Sequence, residues 1–364
     1  MAVTVDLRRA RASDLHVALS PLAELMAVLH ILAEPDHHPE AQRLMGEIAA
    51  VLDPVLRDEL CELSPLWARM RCRLLFPLEL PAAQDFAEEL QQLAALPLDR
   101  FVDLCATGVL GFHSSAFTGC ELLKDEQAAR SFVASCERRS FSRGALAQSL
   151  VVSPKALRER LLAFLTACHD GFFADLWTWV RPRAEAAAGR LRAELGGGGG
   201  PAGALAGLSP TAHVFADGGR VRYDKLMIAD VAVGQRPLLL VPSLYCWPHL
   251  TVKDDPGYPV VLQFAVQDGR PAEQISLRQL SERLVALASP GRMELCRHLL
   301  GEPITTSELA QRLGTAESQV SRSLRVLRDA GLVESVRGGK FVYHRLATGT
   351  LLRLGRDVLA TIMR

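Results

Sequence analysis

"TTSELAQRLGTAESQVSRSLRVLRDAGLVESVRGGKFVYHRL", Thr305 to Leu346, carries the densest set of structural signals in the 364-residue chain. Thr305 and Glu308 have the spacing of a capping box, which opens a helix by satisfying its first free N–H groups. Gly314 and Gly331 close two successive helices, since glycine takes the left-handed turn of a helix end at no steric cost. In the second helix Val320, Leu324 and Leu327 fall at i, i+4 and i+7 and form one apolar edge. "LVESVRGGKFVYHRL" then reads as two short strands about an Arg-Gly-Gly-Lys turn. Helix, turn, helix and basic hairpin, in that order, predict a winged helix-turn-helix.

Working outward, the same unit extends in both directions. Upstream, Ser276 and Gln279 make a second capping-box pair, and Leu277, Leu280, Leu284 and Leu287 give a helical stripe that ends at Pro290. "GRMELCRHLLG" predicts a short helix closed by Gly301, and a last helix runs from about Thr350 to Met363. Ile275 to Arg364 holds 14 Lys and Arg against 8 Asp and Glu, while the chain as a whole balances at 41 and 41. A basic end on an acidic body implies a polyanionic partner for the basic end alone.

If Val320, Leu324 and Leu327 are buried, Ser318, Gln319, Ser321, Arg322 and Arg325 are left for a DNA groove. Gln pairs with an adenine edge, Arg with guanine or phosphate, and Ser with either. Thr306 and Ser307, at the start of the preceding helix, join the predicted DNA-binding set. Arg337, Lys340 and Arg345 on the hairpin suit phosphates beside the groove.

These segments, "LASPGRMELCRHLL", "TTSELAQRLGTAESQVSRSLRVLRDAGLV" and "VRGGKFVYHRL", resemble the ArsR-like family of winged-helix bacterial transcription regulators over roughly Leu284–Leu346. The resemblance implies double-stranded DNA as partner, a palindromic operator, repression, and a homodimer with its seam on Leu277–Leu287 and Leu351–Met363. Ser323 departs from the pattern, since many relatives carry histidine there, which leaves base preference open. Metal-sensing relatives place thiolates where this chain has Thr305 and Ser307. A second family site uses acidic and histidine residues on the last helix, where only Asp357 stands. More diffusely, "SDLHVALSPLAELMAVLHIL" and "LLLVPSLYCWP" resemble a long N-terminal region of unknown function on some actinobacterial ArsR-like regulators.

The expected fold class is mainly α (α+β). Residues 1–195 are expected to form a mostly helical domain, with Leu22, Leu25, Leu29 and Leu32 as an amphipathic stripe behind a Ser20 N-cap. The glycine run 196–203 is expected to be a loop that cannot hold a helix. A small β-rich segment, 204–272, includes "HVFADGGRVRYDK" with its Asp-Gly-Gly turn, and 275–364 is the winged helix.

No catalytic residue, metal site or cofactor is predicted. GxSxG, HExxH, P-loop and Rossmann patterns do not occur. Cys296 and His298 lie two apart, so on a helix they point about 200° apart and cannot share one ion easily. His37-His38 reads as a polar loop before Pro39, and Cys168-His169 as packing. Trp177, Trp179, Phe172 and Phe173 read as core filling. The eight cysteines are unpaired by spacing and read as reduced thiols of a cytoplasmic protein without membrane span or signal peptide. The large body leaves two further readings open: an effector site for a small molecule, or an enzyme that uses the winged helix for assembly.

Overall fold

The computed structural model describes residues 2–35, 38, 41–68, 70–83, 85–111, 117–209, 212–225, 228–247, 249–266, 275–300, 303–338 and 341–362. The architecture is mainly helical with small sheets. By compactness the chain divides into two units, 1–270 and 271–364. Among the described residues no helix is long and apolar enough to cross a membrane.

The helical core of the first unit is organised around the helix Pro21–Ala33. Its sequence predicts one apolar face, yet Pro21 through Ile31 are buried all round. The physical reason is that this helix packs both against the strand Leu238–Ser243 and against the helices Pro54–Leu63 and Phe86–Ala95. Its N-terminus is anchored by buried polar groups. Ser20 Oγ accepts from Ala23 N at 3.0 Å, and Leu22 N donates at 2.7 Å to Glu89, which also takes the Ser20 hydroxyl. Burial pushes the Glu89 carboxyl up to about 8, although those hydrogen bonds act in the opposite direction.

Two four-stranded sheets complete the first unit, and both use strands from the extreme N-terminal stretch. Ala2–Asp6 lies between Arg220–Asp224, antiparallel, and Ala229–Ala232, parallel. Leu15–Val17 pairs in parallel with Leu238–Ser243, whose other neighbour is Val260–Ala265. The expected boundary between a mostly helical 1–195 and a β-rich 204–272 is therefore corrected: Ala2–Asp6 and Leu15–Val17 are strands of the sheets that the later segment builds. Their signal is the alternation of Val3, Val5 and Leu7, all buried. Leu238–Ser243 is buried on both faces. Leu239 and Val241 enter the helical core, while Leu238 and Leu240 enter a second core over the sheets.

The glycine run is also corrected. Gly196–Gly199 turns, but Gly200–Ala206 is a helix. Ala202, Ala204 and Leu205 are buried in the second core, and Tyr223 Oη donates to the Leu205 carbonyl at 2.8 Å. Tertiary burial outweighs poor helix propensity there. Two packing expectations change as well: Trp179 is 49% exposed beneath the Arg183 guanidinium, and His38 is fully buried.

The second unit has the helices Leu277–Leu287, Pro290–His298, Thr306–Leu313, Glu317–Asp329 and Thr348–Ile362. Its sheet orders Val333–Gly338, Phe341–Leu346 and Ile304–Thr305 as neighbours. The Ser276–Gln279 capping box forms in both directions. That of Thr305 forms in one: its Oγ1 accepts from Glu308 N at 3.3 Å, while the Glu308 carboxylate turns to Arg312. Gly314 sits at φ 60°, closing the first helix of the pair. The core gathers Leu295, Leu309, Val320, Leu324, Leu327, Leu332 and Leu346.

Candidate nucleic-acid interface

The helix Glu317–Asp329 has two chemically opposed faces. Val320, Leu324 and Leu327 are at most 3% exposed and fix the helix on the core. Ser318, Gln319, Ser321, Arg322 and Arg325 are exposed on the other side. Thr315 Oγ1 donates to Gln319 Oε1 at 3.0 Å, holding the amide against the turn. Arg322 Nε donates to the Ser318 carbonyl at 3.3 Å, which lays its guanidinium along the helix surface.

The remaining predicted residues fall into three groups. Ser307 and Arg337 are exposed. Thr306 is half-buried and shares a 3.0 Å hydrogen bond with His344 Nε2. Arg345 is exposed but engaged across the hairpin, its Nε donating to Glu334 at 2.7 Å. Its readiness for phosphate is reduced by that pair. Lys340 lies outside the described residues.

Sequence reasoning missed His344. It is buried, and its Nδ1 lies 2.8 Å from Ser335 Oγ while its Nε2 meets Thr306. The imidazole thus joins the hairpin to the start of the helix Thr306–Leu313. Burial, with the nearby Arg328 charge, holds its pKa below the usual histidine value. The available signal was strand alternation, since His344 shares the inward face with Leu346.

The first and last helices of this unit expose apolar side chains. Leu277, Leu284 and Val285 project from one, and Leu352, Leu359 and Ile362 from the other; Leu352 is 86% exposed. Arg283 Nη1 meets Asp357 Oδ2 at 3.1 Å in a largely buried pair that ties the two helices together. Asp357 is thereby committed to structure.

Of the thiol and imidazole residues weighed as ligands, Cys296 lies in the core and His298 turns to Glu294 at 3.7 Å. Cys168 is fully buried, whereas His169 stacks on Phe86 with centroids 4.4 Å apart. His30, His38 and His249 come together in the first unit, with ligating nitrogens all within 4.8 Å of one another. A depression of about 300 Å³, lined by Gln148, Val152, Leu157 and Arg160, opens to solvent elsewhere. Arg160 is already paired with Glu59 and Glu62, so that depression offers no converging free charge.

Known proteins match both parts of the chain. A family described as "Family of unknown function (DUF5937)" covers residues 1–270, and one described as "Helix-turn-helix domain" covers 287–336. The HTH-type transcriptional regulator NmtR of Mycobacterium tuberculosis is 36% identical over 76 residues, 21% of this chain and 63% of that protein. A transcriptional repressor SmtB homolog of Synechocystis is 37% identical over 81 residues, 22% of this chain and 61% of that protein. The biofilm growth-associated repressor of Agrobacterium fabrum is 32% identical over 84 residues, 23% and 72% of the two chains. This chain therefore spans about three fifths of the length of the first two. Among solved structures, an ArsR-like transcriptional regulator from Rhodococcus is 28% identical over 22% of this chain and 76% of its own, with a TM-score of 0.22. The chain belongs to the family of unknown function DUF5937 through residues 1–270 and carries an ArsR/SmtB-type helix-turn-helix domain behind it.

Proposed function

We propose that this protein is a sequence-specific DNA-binding transcriptional regulator, a repressor acting in the cytoplasm as a homodimer on an imperfect palindrome. The observation that carries this reading is the division of the helix Glu317–Asp329 into a buried apolar edge and an exposed Ser, Gln and Arg face. Such a helix fits the major groove, where Gln319, Arg322 and Arg325 have the donor and acceptor patterns that distinguish base pairs. Thr306 and Ser307 at the preceding helix start, with Ser318 and Ser321, suit phosphate and sugar contacts that set the register. Arg337, Lys340 and Arg345 supply backbone charge from the hairpin.

Dimerisation is supported by the exposed apolar side chains on Leu277–Leu287 and Thr348–Ile362, which water would otherwise cover. A twofold pairing along these helices is self-complementary and presents two copies of Glu317–Asp329 to one DNA face. Half-sites about 34–36 Å apart, one helical turn, follow from that symmetry.

Fluorescence anisotropy of the full chain with genomic promoter fragments tests the reading. Arg322→Ala should weaken specific binding by about 1–3 kcal/mol, roughly five- to 150-fold, and leave the thermal midpoint unchanged, because the side chain is exposed. Equal affinity of the variant and the wild type for every fragment would remove Arg322 from base reading.

A further inference from the structure

The imidazoles of His30, His38 and His249 meet in the first unit from three separate stretches of chain. We propose that they form a three-nitrogen binding site for a divalent transition-metal ion of the zinc class. These residues belong to the first unit and the proposed DNA-reading helix to the second, and the site does not depend on the function proposed above.

Geometry carries the proposal. His30 Nε2 and His249 Nε2 are 3.2 Å apart. Tetrahedral zinc with bonds of about 2.0–2.1 Å holds neighbouring nitrogens about 3.3–3.4 Å apart, so little rearrangement is needed. Ring centroids are separated by 5.1 Å for His30 and His38, 5.0 Å for His30 and His249, and 5.6 Å for His38 and His249. Their planes cross at 89°, 78° and 61°, so no pair is stacked face to face. A hydrogen bond accounts for two imidazoles at this distance, and the ligating nitrogen of the third lies within 4.8 Å of both. One shared ion accounts for all three.

The supporting structure is of the kind a metal site needs. His30 Nδ1 lies 3.0 Å from the Trp67 carbonyl, which can only accept, so Nδ1 carries the proton. In the neutral ring that leaves the Nε2 lone pair facing the cluster, the carbonyl–histidine arrangement seen around bound metals. His249 is positioned by the loop that follows Leu238–Ser243. Leu244 N and Tyr245 N donate to Glu24 Oε1 at 2.9 and 3.2 Å, on the same helix as His30. His249 N then donates to the Cys246 carbonyl at 2.8 Å. Both halves of the site are therefore held by the helix Pro21–Ala33.

Positive charge nearby constrains what completes the coordination. Arg71 is 8% exposed, its charge acts on His249, and its Nε and Nη2 make no hydrogen bond among the described residues. Lys225 also acts on His249. These cations oppose a bare metal ion, and an anionic fourth ligand offsets them. An oxygen anion such as hydroxide is the class of ligand that would complete the tetrahedron.

The test uses the chelator-stripped full chain with cobalt(II) as the spectroscopic probe. The wild type should take up one equivalent with visible bands of a four-coordinate nitrogen and oxygen site. His38→Gln and His249→Gln should each weaken uptake at least tenfold, and Cys296→Ser should leave it unchanged. X-ray absorption of the zinc-loaded wild type should show imidazole scattering near 2.0–2.1 Å, and decides the matter if either variant fails to fold. No uptake by the folded wild type, wild-type uptake by both variants, or thiolate-to-cobalt charge-transfer bands would overturn the proposal.

Discussion

Arg322 and Arg345 are both exposed arginines of a basic unit, yet their neighbours give them different roles. Arg322 lies on a serine-lined helix face, whereas Arg345 is paired with Glu334 across the hairpin. An exposed pair is worth about 0.2–1 kcal/mol, which sets the size of the difference. Glu334→Ala, by releasing Arg345, should tighten DNA binding by up to about fivefold at low salt and equally for all sequences. Anisotropy on specific and scrambled duplexes measures this, and a gain confined to one sequence would contradict it. Glu89 offers a separate residue-scale test. Its carboxyl is raised to about 8 by burial, against about 4.5 when exposed, so the folded state holds a proton that the unfolded state has lost. Stability should therefore fall as pH rises from about 4.5 to 8 and level off above. Glu89→Gln should flatten that fall in urea titrations, and an unchanged slope would show that Glu89 ionises normally. The cluster of His30, His38 and His249 was not legible in sequence, because 219 positions separate His30 from His249. Only the chain fold brings them together.

Elements with local signals were the legible ones. The Ser276 capping box, the Gly314 turn and the Val320, Leu324, Leu327 edge are each decided within a few residues, and they define the second unit. Elements decided by distant partners were not. Ala2–Asp6 is a strand because Arg220–Asp224 and Ala229–Ala232 flank it, and Gly200–Ala206 is helical because the sheet core covers it. The same contrast governs the exposed helix faces. Leu284 and Leu352 are 44% and 86% exposed, although each belongs to a regular helix. Leu284→Glu or Leu352→Glu should weaken dimerisation at least tenfold and leave the monomer folded, since neither side chain fills the core. Sedimentation equilibrium checks the mass, and circular dichroism checks the fold. A dimer of undiminished affinity in the double variant would move the seam elsewhere.

At the scale of the whole molecule, chemistry is unevenly distributed. The second unit holds the net positive charge and the helix with an exposed Ser, Gln and Arg face, and the first holds the larger cores and the cluster of His30, His38 and His249. The charge asymmetry was readable from composition; the two-sheet arrangement of the first unit was not, because its strands come from both ends of that unit. The open depression near Arg160 carries no nucleophile–base pair, and Cys168 and Cys246 are thiols that burial pushes up to about 12. DNA recognition by the second unit remains the central claim. Its most direct measurement is selection of bound sequences by the full chain from fragmented genomic DNA, repeated at low and physiological salt. The account predicts enrichment of an imperfect palindrome with half-sites one helical turn apart, lost at higher salt and in Arg322→Ala. A folded chain that enriches no sequence and retards no fragment at low salt would contradict it.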